Sequence, residues 1–430
     1  MNKSQKSFNL FFIIWSGQLL SRIGSGISVF AIGIYLFQQT GITSTYSFFL
    51  LCAFLPSVLF ALVGGVWADR KDRKLMMVAG DIVSSFGILF TIAMLLFYPE
   101  KYWPLYIGIA ISSFGAGLHS PAFKASVTDL IDAQAYSKAS GLIQLAEASR
   151  YLVSPIIAGF LITWFSLPMV LAIDVITFFV AALAVILIRN MTIQPVYTDK
   201  KERFIKDFTK GLTYIGNNHT IFRLLYITTF VTFFTGVLQV LIVPIVLSFA
   251  DTQALGIIQS VAAFGMVFAS LFIGVWSTTK RQYTILSWSL MGAGLLYLLI
   301  GMSTDTVLFT MTAFCFFLTL PFVNTSLEVL FRQNIANEMQ GRIWSLISLI
   351  SQIGMLVALA TTGMLADRLF NPLLTEDGYL AETIGQIIGI GPARGSGLMV
   401  IISGIFLVLI SVCIRERVRD AKEVFRHSYL

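Results

Sequence analysis

Charge is scarce in this chain: Asp, Glu, Lys and Arg make up 12% of its 430 residues, against about 25% in a soluble domain. That excludes an ordinary water-soluble globule. Histidine is scarcer still, with three residues that do not pair in the sequence. The three cysteines, Cys52, Cys315 and Cys413, stand singly in apolar runs. None of these has metal-site or disulfide spacing, so the cysteines are expected to be small buried hydrophobes. No Gly-x-x-x-x-Gly-Lys-Ser/Thr loop occurs, which excludes ATP binding through a P-loop, and no selectivity-filter pattern argues for a channel. The expectation is a chain without cofactor, metal or catalytic residue, and not an enzyme. The net charge of +7 comes from basic residues on short connections, the positive-inside bias of membrane proteins, and is no sign of nucleic acid.

What is abundant is apolar: 57% of residues are hydrophobic, gathered in runs of about the 20 residues that cross a bilayer. The runs predict twelve spans, over 10–36, 46–67, 75–98, 102–123, 141–163, 167–188, 220–247, 254–277, 283–302, 306–331, 342–366 and 396–415. The first run is too long for a signal peptide and lacks a clear cleavage site. Lys and Arg gather on every even-to-odd connection, which puts both termini in the cytoplasm. Residues 189–219 form the longest inner connection, and Ile205, Phe208 and Leu212 recur there at helical spacing. A short amphipathic helix on the inner leaflet is expected. The outer segment 369–395 reads only as a loop containing a short helix.

The organising stretch is Gly64-Gly65-Val66-Trp67-Ala68-Asp69-Arg70-Lys71-Asp72-Arg73-Lys74, a dense charged turn between two apolar runs. Its glycines are expected to let one helix end approach its neighbour, and Asp69 to accept hydrogen bonds or sit near a helix N-terminus. A weaker copy, Gly274-Val275-Trp276-Ser277-Thr278-Thr279-Lys280-Arg281, recurs later. Setting Ile131 opposite Ile335 brings Lys138 to Arg342 and Gly159 to Gly363. The expected fold is therefore all-α, with two pseudo-symmetric six-helix bundles at 1–188 and 220–415. The segment 189–219 joins them and 416–430 forms a cytoplasmic tail. Parallel halves of this kind are a transporter architecture, with substrate bound at the midplane between them. An ion gradient is then the energy source.

Charged residues inside spans mark function, because an arginine there costs about 2.5 to 3.5 kcal/mol. Arg22 lies well inside the first span, Asp81 one or two turns inside the third, and Asp174 near the outer third of the sixth. Glu147 and Arg150, three apart, share a helix face in the fifth. A carboxylate that gains and loses a proton as its surroundings change is what coupling requires. Glu147 is the leading carrier, with Arg150 or Arg22 as its switching partner; a fixed Glu147–Arg150 pair is the structural alternative. Gln18, Arg22, Asn324 and Glu328 are candidates for the substrate cavity.

The turn resembles the helix 2–3 signature of the major facilitator superfamily at Gly65, Asp69, Arg70, Arg73 and Lys74, with Asp72 standing where that pattern has glycine. Ser154-Pro155-Ile156-Ile157-Ala158-Gly159 resembles the helix 5 motif of proton-coupled antiporters, departing at Ser154 and Ala158. Trp15-Ser16-Gly17-Gln18, Ala68-Asp69-Arg70, His119-Ser120-Pro121-Ala122, Ser154-Pro155, Ala172-Ile173-Asp174 and Gly341-Arg342 make the chain similar to the bacterial macrolide-efflux type. Siderophore exporters and lysophospholipid carriers resemble the same group.

The resemblance implies a proton-coupled exporter of a small amphipathic organic compound, macrolide-like or siderophore. It would work as a monomer among the lipids of a bacterial cytoplasmic membrane. Gating is implied for the turn, with Asp69 latching in the outward-open state to the inner end of span 11, near Arg342. A lysophospholipid flippase, a nutrient carrier and a non-transporting receptor are the competing classes.

Overall fold

The computed structural model describes residues 3–68, 70–131, 136–189, 204–275, 281–336 and 339–427. Among the described residues regular structure is entirely helical. Among the described residues, eleven helical runs are long and apolar enough to cross a membrane. The molecule is thus an all-α, multi-span membrane protein. The chain divides into two compact units, one of residues 1–41 with 48–201 and one of residues 42–47 with 202–430.

The first unit contains α1 (Lys3–Thr40), most of α2 (Thr43–Ala68), α3 (Arg73–Phe97), α4 (Trp103–Leu130), α5 (Tyr136–Leu152), α6 (Ser154–Trp164) and α7 (Leu167–Arg189). Lipid tails give apolar helices no reason to prefer each other, so small residues and hydrogen bonds set the packing. Gly80 of α3 lies so close to α4 that a Cβ there would stand 2.8 Å from the Gly115 oxygen. Ser84 Oγ donates to the Ser112 oxygen at 2.9 Å along the same seam. The Gly and Ser content that closes this seam also dilutes α4, a 28-residue helix that is not among the eleven most apolar. Trp15 Nε1 donates to the Leu142 oxygen at 2.6 Å and fixes α1 against α5.

The expected fifth span is one run broken at Val153 into α5 and α6. Pro155 has no N–H to continue the ladder, which accounts for a break where the apolar run predicts one continuous span.

The second unit contains α8 (Phe204–Asn217), α9 (His219–Leu247), α10 (Thr252–Val275), α11 (Gln282–Met302), α12 (Thr306–Asn334), α13 (Gln340–Leu365), α14 (Asn371–Leu373), α15 (Gly385–Ile388) and α16 (Arg394–His427). Asn218 caps α9 through Thr220 N and Ile221 N, and Asp305 caps α12 through Leu308 N at 2.8 Å. Tyr297 donates its buried hydroxyl to the Phe234 oxygen at 2.8 Å, so the phenol is satisfied where water is absent. α8 takes up part of the expected amphipathic stretch and packs on α13, with Gly211 against Leu346. The side chains of Ile205 and Phe208 and the chain over 190–203 lie outside the described residues.

The first turn of α2 belongs to this unit. Asp367, in a π-helical turn over Ala366–Phe370, accepts from Thr43 N at 3.1 Å and Ser44 N at 2.6 Å. Ser47 Oγ donates to the Leu359 oxygen at 2.5 Å. The segment 369–395 holds α14 and α15, where Leu374 and Ile388 form a small apolar knot with Leu398 of α16.

The cysteines depart from expectation. Cys315 and Cys413 are exposed and Cys52 is half-buried. An apolar run does not by itself decide which of its residues are covered by neighbouring helices.

Candidate functional site

The polar side chains of the first unit's spans converge. Gln18, Arg22 and Ser25 recur at helical spacing on one face of α1. Arg22 Nη2 stands 3.1 Å from Glu147 Oε1 of α5, with the side chains 16% and 34% exposed. Of the two cations expected to partner Glu147, Arg22 makes the pair. Arg150, one turn on, instead lies near enough to Asp174 for its charge to act there.

Gly24 and Gly26 make this convergence possible. A Cβ on Gly24 would stand 3.0 Å from Asp174 Oδ1, and one on Gly26 would stand 3.0 Å from Arg150 Cγ. Between them, Ser25 Oγ donates to Asp174 Oδ1 at 3.2 Å. Ser154 Oγ donates to the Ile23 oxygen at 2.9 Å. The helix 5 motif residues Ser154, Pro155 and Gly159 are all buried, so the motif is where α6 is bonded to α1.

Asp81 of α3 and His119 of α4 form a second pair, Nε2 to Oδ1 at 3.7 Å, each side chain 5% exposed. Gln18 stands beside Asp81 without closing a hydrogen bond, and Arg22 lies within electrostatic reach. Asp81 Oδ2, His119 Nε2, Gln18 Nε2 and Asp174 Oδ2 are buried with no hydrogen-bond partner. Buried polar atoms are nearly always paired, so such a concentration calls for a functional explanation. His119 is the residue sequence reasoning passed over. It stands in the sequence only as part of the His119-Ser120-Pro121-Ala122 resemblance; the packing of α3 on α4 brings it to Asp81.

The charged turn is built from its own side chains. Asp72 caps α3, accepting from Lys74 N at 3.0 Å and Leu75 N at 3.2 Å. This gives a role to the residue that departs from the family pattern. Arg73 ties the turn down, donating to the Ala68 oxygen at 3.0 Å and the Ala125 oxygen at 2.9 Å. Lys71 lies over the Trp67 ring, Arg70 is exposed and Lys74 is buried. Gly64 makes the expected close approach, since a Cβ there would stand 3.0 Å from the Gly117 oxygen, whereas a Cβ on Gly65 would meet open space. Asp69, residues 276–280 of the second turn and the Arg342 side chain lie outside the described residues.

In the second unit, Asn324 and Glu328 are exposed on α12. Glu328 pairs with Arg332 at 2.6 Å one turn on, an arrangement of small energetic value at an exposed site. Among the described residues no group of His, Cys, Asp and Glu is placed to hold a metal ion.

A family model described as Major Facilitator Superfamily matches residues 14–359. Macrolide efflux protein A of Streptococcus pyogenes is 28% identical over 365 residues, covering 84% of this chain and 90% of that protein. Macrolide efflux protein A of Enterococcus faecalis is 26% identical over 315 residues, covering 72% of this chain and 97% of that protein. Among solved structures, the POT family transporter PepTSo matches with a TM-score of 0.73 at 12% identity, over 96% of this chain and 98% of that one. The last is a likeness of fold alone.

Proposed function

The chain belongs to the Major Facilitator Superfamily and is a secondary transporter, not an enzyme; from that premise we propose that it exports an amphipathic organic compound in exchange for protons. The names of its relatives favour a macrolide-like substrate, with a siderophore as the neighbouring chemical class.

The observation that carries the reading is the Arg22–Glu147 pair at 3.1 Å. An ion pair is retained inside a span where it faces protein or water, and such residues mark ion and proton pathways. A proton arriving at Glu147 cancels its charge and frees Arg22; its departure restores the pair. The two states differ in what Arg22 attracts, so proton and substrate are linked through one side chain. Asp81 and Asp174 are further carriers, with Arg150 the cation beside Asp174. Gln18, Arg22, Asn324 and Glu328 meet the substrate. Gly65, Asp69, Arg70, Arg73, Lys74 and Arg342 gate.

The arrangement proposed with this mechanism has twelve spans, α4 completing the count, in bundles at 1–188 and 220–415. Residues 189–219 join them, and both termini and the tail 416–430 are cytoplasmic. The protein is a monomer in a bacterial cytoplasmic membrane.

The test is to reconstitute the wild type and Glu147→Gln in vesicles with a pH-sensitive dye and apply erythromycin. The variant should lose substrate-coupled proton flux. Full coupling retained would remove Glu147 as the carrier. Thermal stabilisation by lysophosphatidylcholine, with none by erythromycin, would transfer the reading to lipid transport.

A further inference from the structure

We propose that Asp81 and His119 together form a second proton-binding site, loaded and emptied in the transport cycle alongside Glu147. This rests on the proton-coupled reading, but stands on its own geometry. Two ionisable side chains from different helices face each other at 3.7 Å in the interior. That is too long for a hydrogen bond and short enough that a small shift of α3 on α4 makes one. The carboxyl oxygen Oδ2 and the imidazole Nε2 have no hydrogen-bond partner. A structural pair in a dry interior spends its polar atoms; this pair leaves them available.

The site holds at most one proton usefully. With that proton, the carboxylic acid and the imidazole are both neutral and join through O–H···N. When the proton crosses to the imidazole, the pair is a carboxylate and an imidazolium. When it leaves, the carboxylate is alone and depends on its other neighbours. Those are Gln18 and Arg22 of α1 and Asp174 of α7, while Arg22 also acts on His119. The titration therefore belongs to the pair and its neighbours, not to either residue separately.

The location gives the site leverage. Asp81 lies eight residues into α3, about 12 Å from its start, at the end that carries the charged turn. Gly80, its neighbour, is the point of backbone contact, 2.8 Å by a virtual Cβ from both the Gly115 oxygen and His119 Cβ. Below it on α4, the Ala125 oxygen is held by Arg73 of the turn. A change in the Asp81–His119 distance is thus passed along α4 to the turn that the family resemblance assigns to gating.

The experiment uses the full chain with 15N-labelled histidine in lipid nanodiscs. Only three histidines are present, so His119 is assigned by its loss in His119→Asn. Between about pH 5 and 9 the His119 ring shifts should change, and Asp81→Asn should abolish that change or displace its midpoint by about one unit or more. A His119 signal constant across the range overturns the site, and the wild-type titration decides this even where Asp81→Asn does not fold. In vesicles, His119→Asn should alter the pH profile of erythromycin transport. An unaltered profile in this conservative variant also overturns the proposal. Absence of coupled proton flux in the wild type would instead defeat the exporter reading, which the ring titration does not require.

Discussion

Asp367 offers the most direct quantitative check on the packing of the second unit. Its two carboxylate oxygens accept from Thr43 N at 3.1 Å and Ser44 N at 2.6 Å, two of the donors that a helix start leaves without intrahelical partners. Hydrogen bonds to a charged group contribute about 1.5 to 3 kcal/mol each in favourable settings, and an anion at a helix N-terminus adds about 0.3 to 1 kcal/mol. Asp367 is half-buried, so water competes and the lower values apply. Asp367→Ala should cost the first turn of α2 about 2 kcal/mol of local stability. Asp367→Asn keeps one acceptor oxygen but no charge, and should cost about 1 kcal/mol. At about 1.4 kcal/mol per factor of ten, amide exchange at Thr43 and Ser44 should rise about thirtyfold in Asp367→Ala and about fivefold in Asp367→Asn. Hydrogen exchange read by mass spectrometry on a peptide covering 42–47 measures this. Unchanged protection in Asp367→Ala would refute the cap, because among the described residues no other carboxylate accepts from those two amides.

Gly80→Ala should destabilise by about 1 to 3 kcal/mol, because its Cβ meets the Gly115 oxygen at 2.8 Å. Gly65→Ala, which meets nothing within 4 Å, should leave thermal stability in detergent unchanged; equal losses would contradict the packing of α3 on α4. Asp72→Ala should remove the α3 cap and cost about 1 kcal/mol, and Asp72→Gly only a few tenths. Melting curves that rank the two alike would exclude the cap as the residue's role. A double-mutant cycle on Arg22→Gln and Glu147→Gln should give a coupling energy of about 1 kcal/mol or more; additive effects on stability would mean that the 3.1 Å pair contributes nothing.

The apolar runs were legible because the bilayer imposes their length, and among the described residues eleven helical runs of spanning length follow them, the fifth run being broken into α5 and α6. The polar residues inside those runs were legible as exceptions, and Arg22, Asp81, Glu147 and Asp174 all fall in one unit around α1. Which of them touch was not legible. Glu147 and Arg150 share a face by spacing, yet the Gly24-Ser25-Gly26 notch brings α5, α6 and α7 close to α1, and it is Arg22 that takes Glu147. The pairing of His119 was not legible for the same reason: its partner is on another helix. Asp367 stands just past the expected span 342–366, and only the placing of α2's first turn in the second unit reveals it as a cap. The cysteines misled because an apolar run does not say which of its faces meets lipid. The break at Pro155 was not legible either, because Pro56, Pro121, Pro244 and Pro321 lie inside continuous helices.

Proton-driven export is the central claim, and one measurement addresses it without any variant. Wild-type protein is reconstituted in tight vesicles at equal pH on both sides, and an erythromycin gradient is imposed while lumenal pH is followed. The account predicts that drug moving in one direction drives protons in the other, so that a pH difference builds up and disappears when a proton ionophore is added. Erythromycin crossing through the protein with lumenal pH unmoved would contradict it.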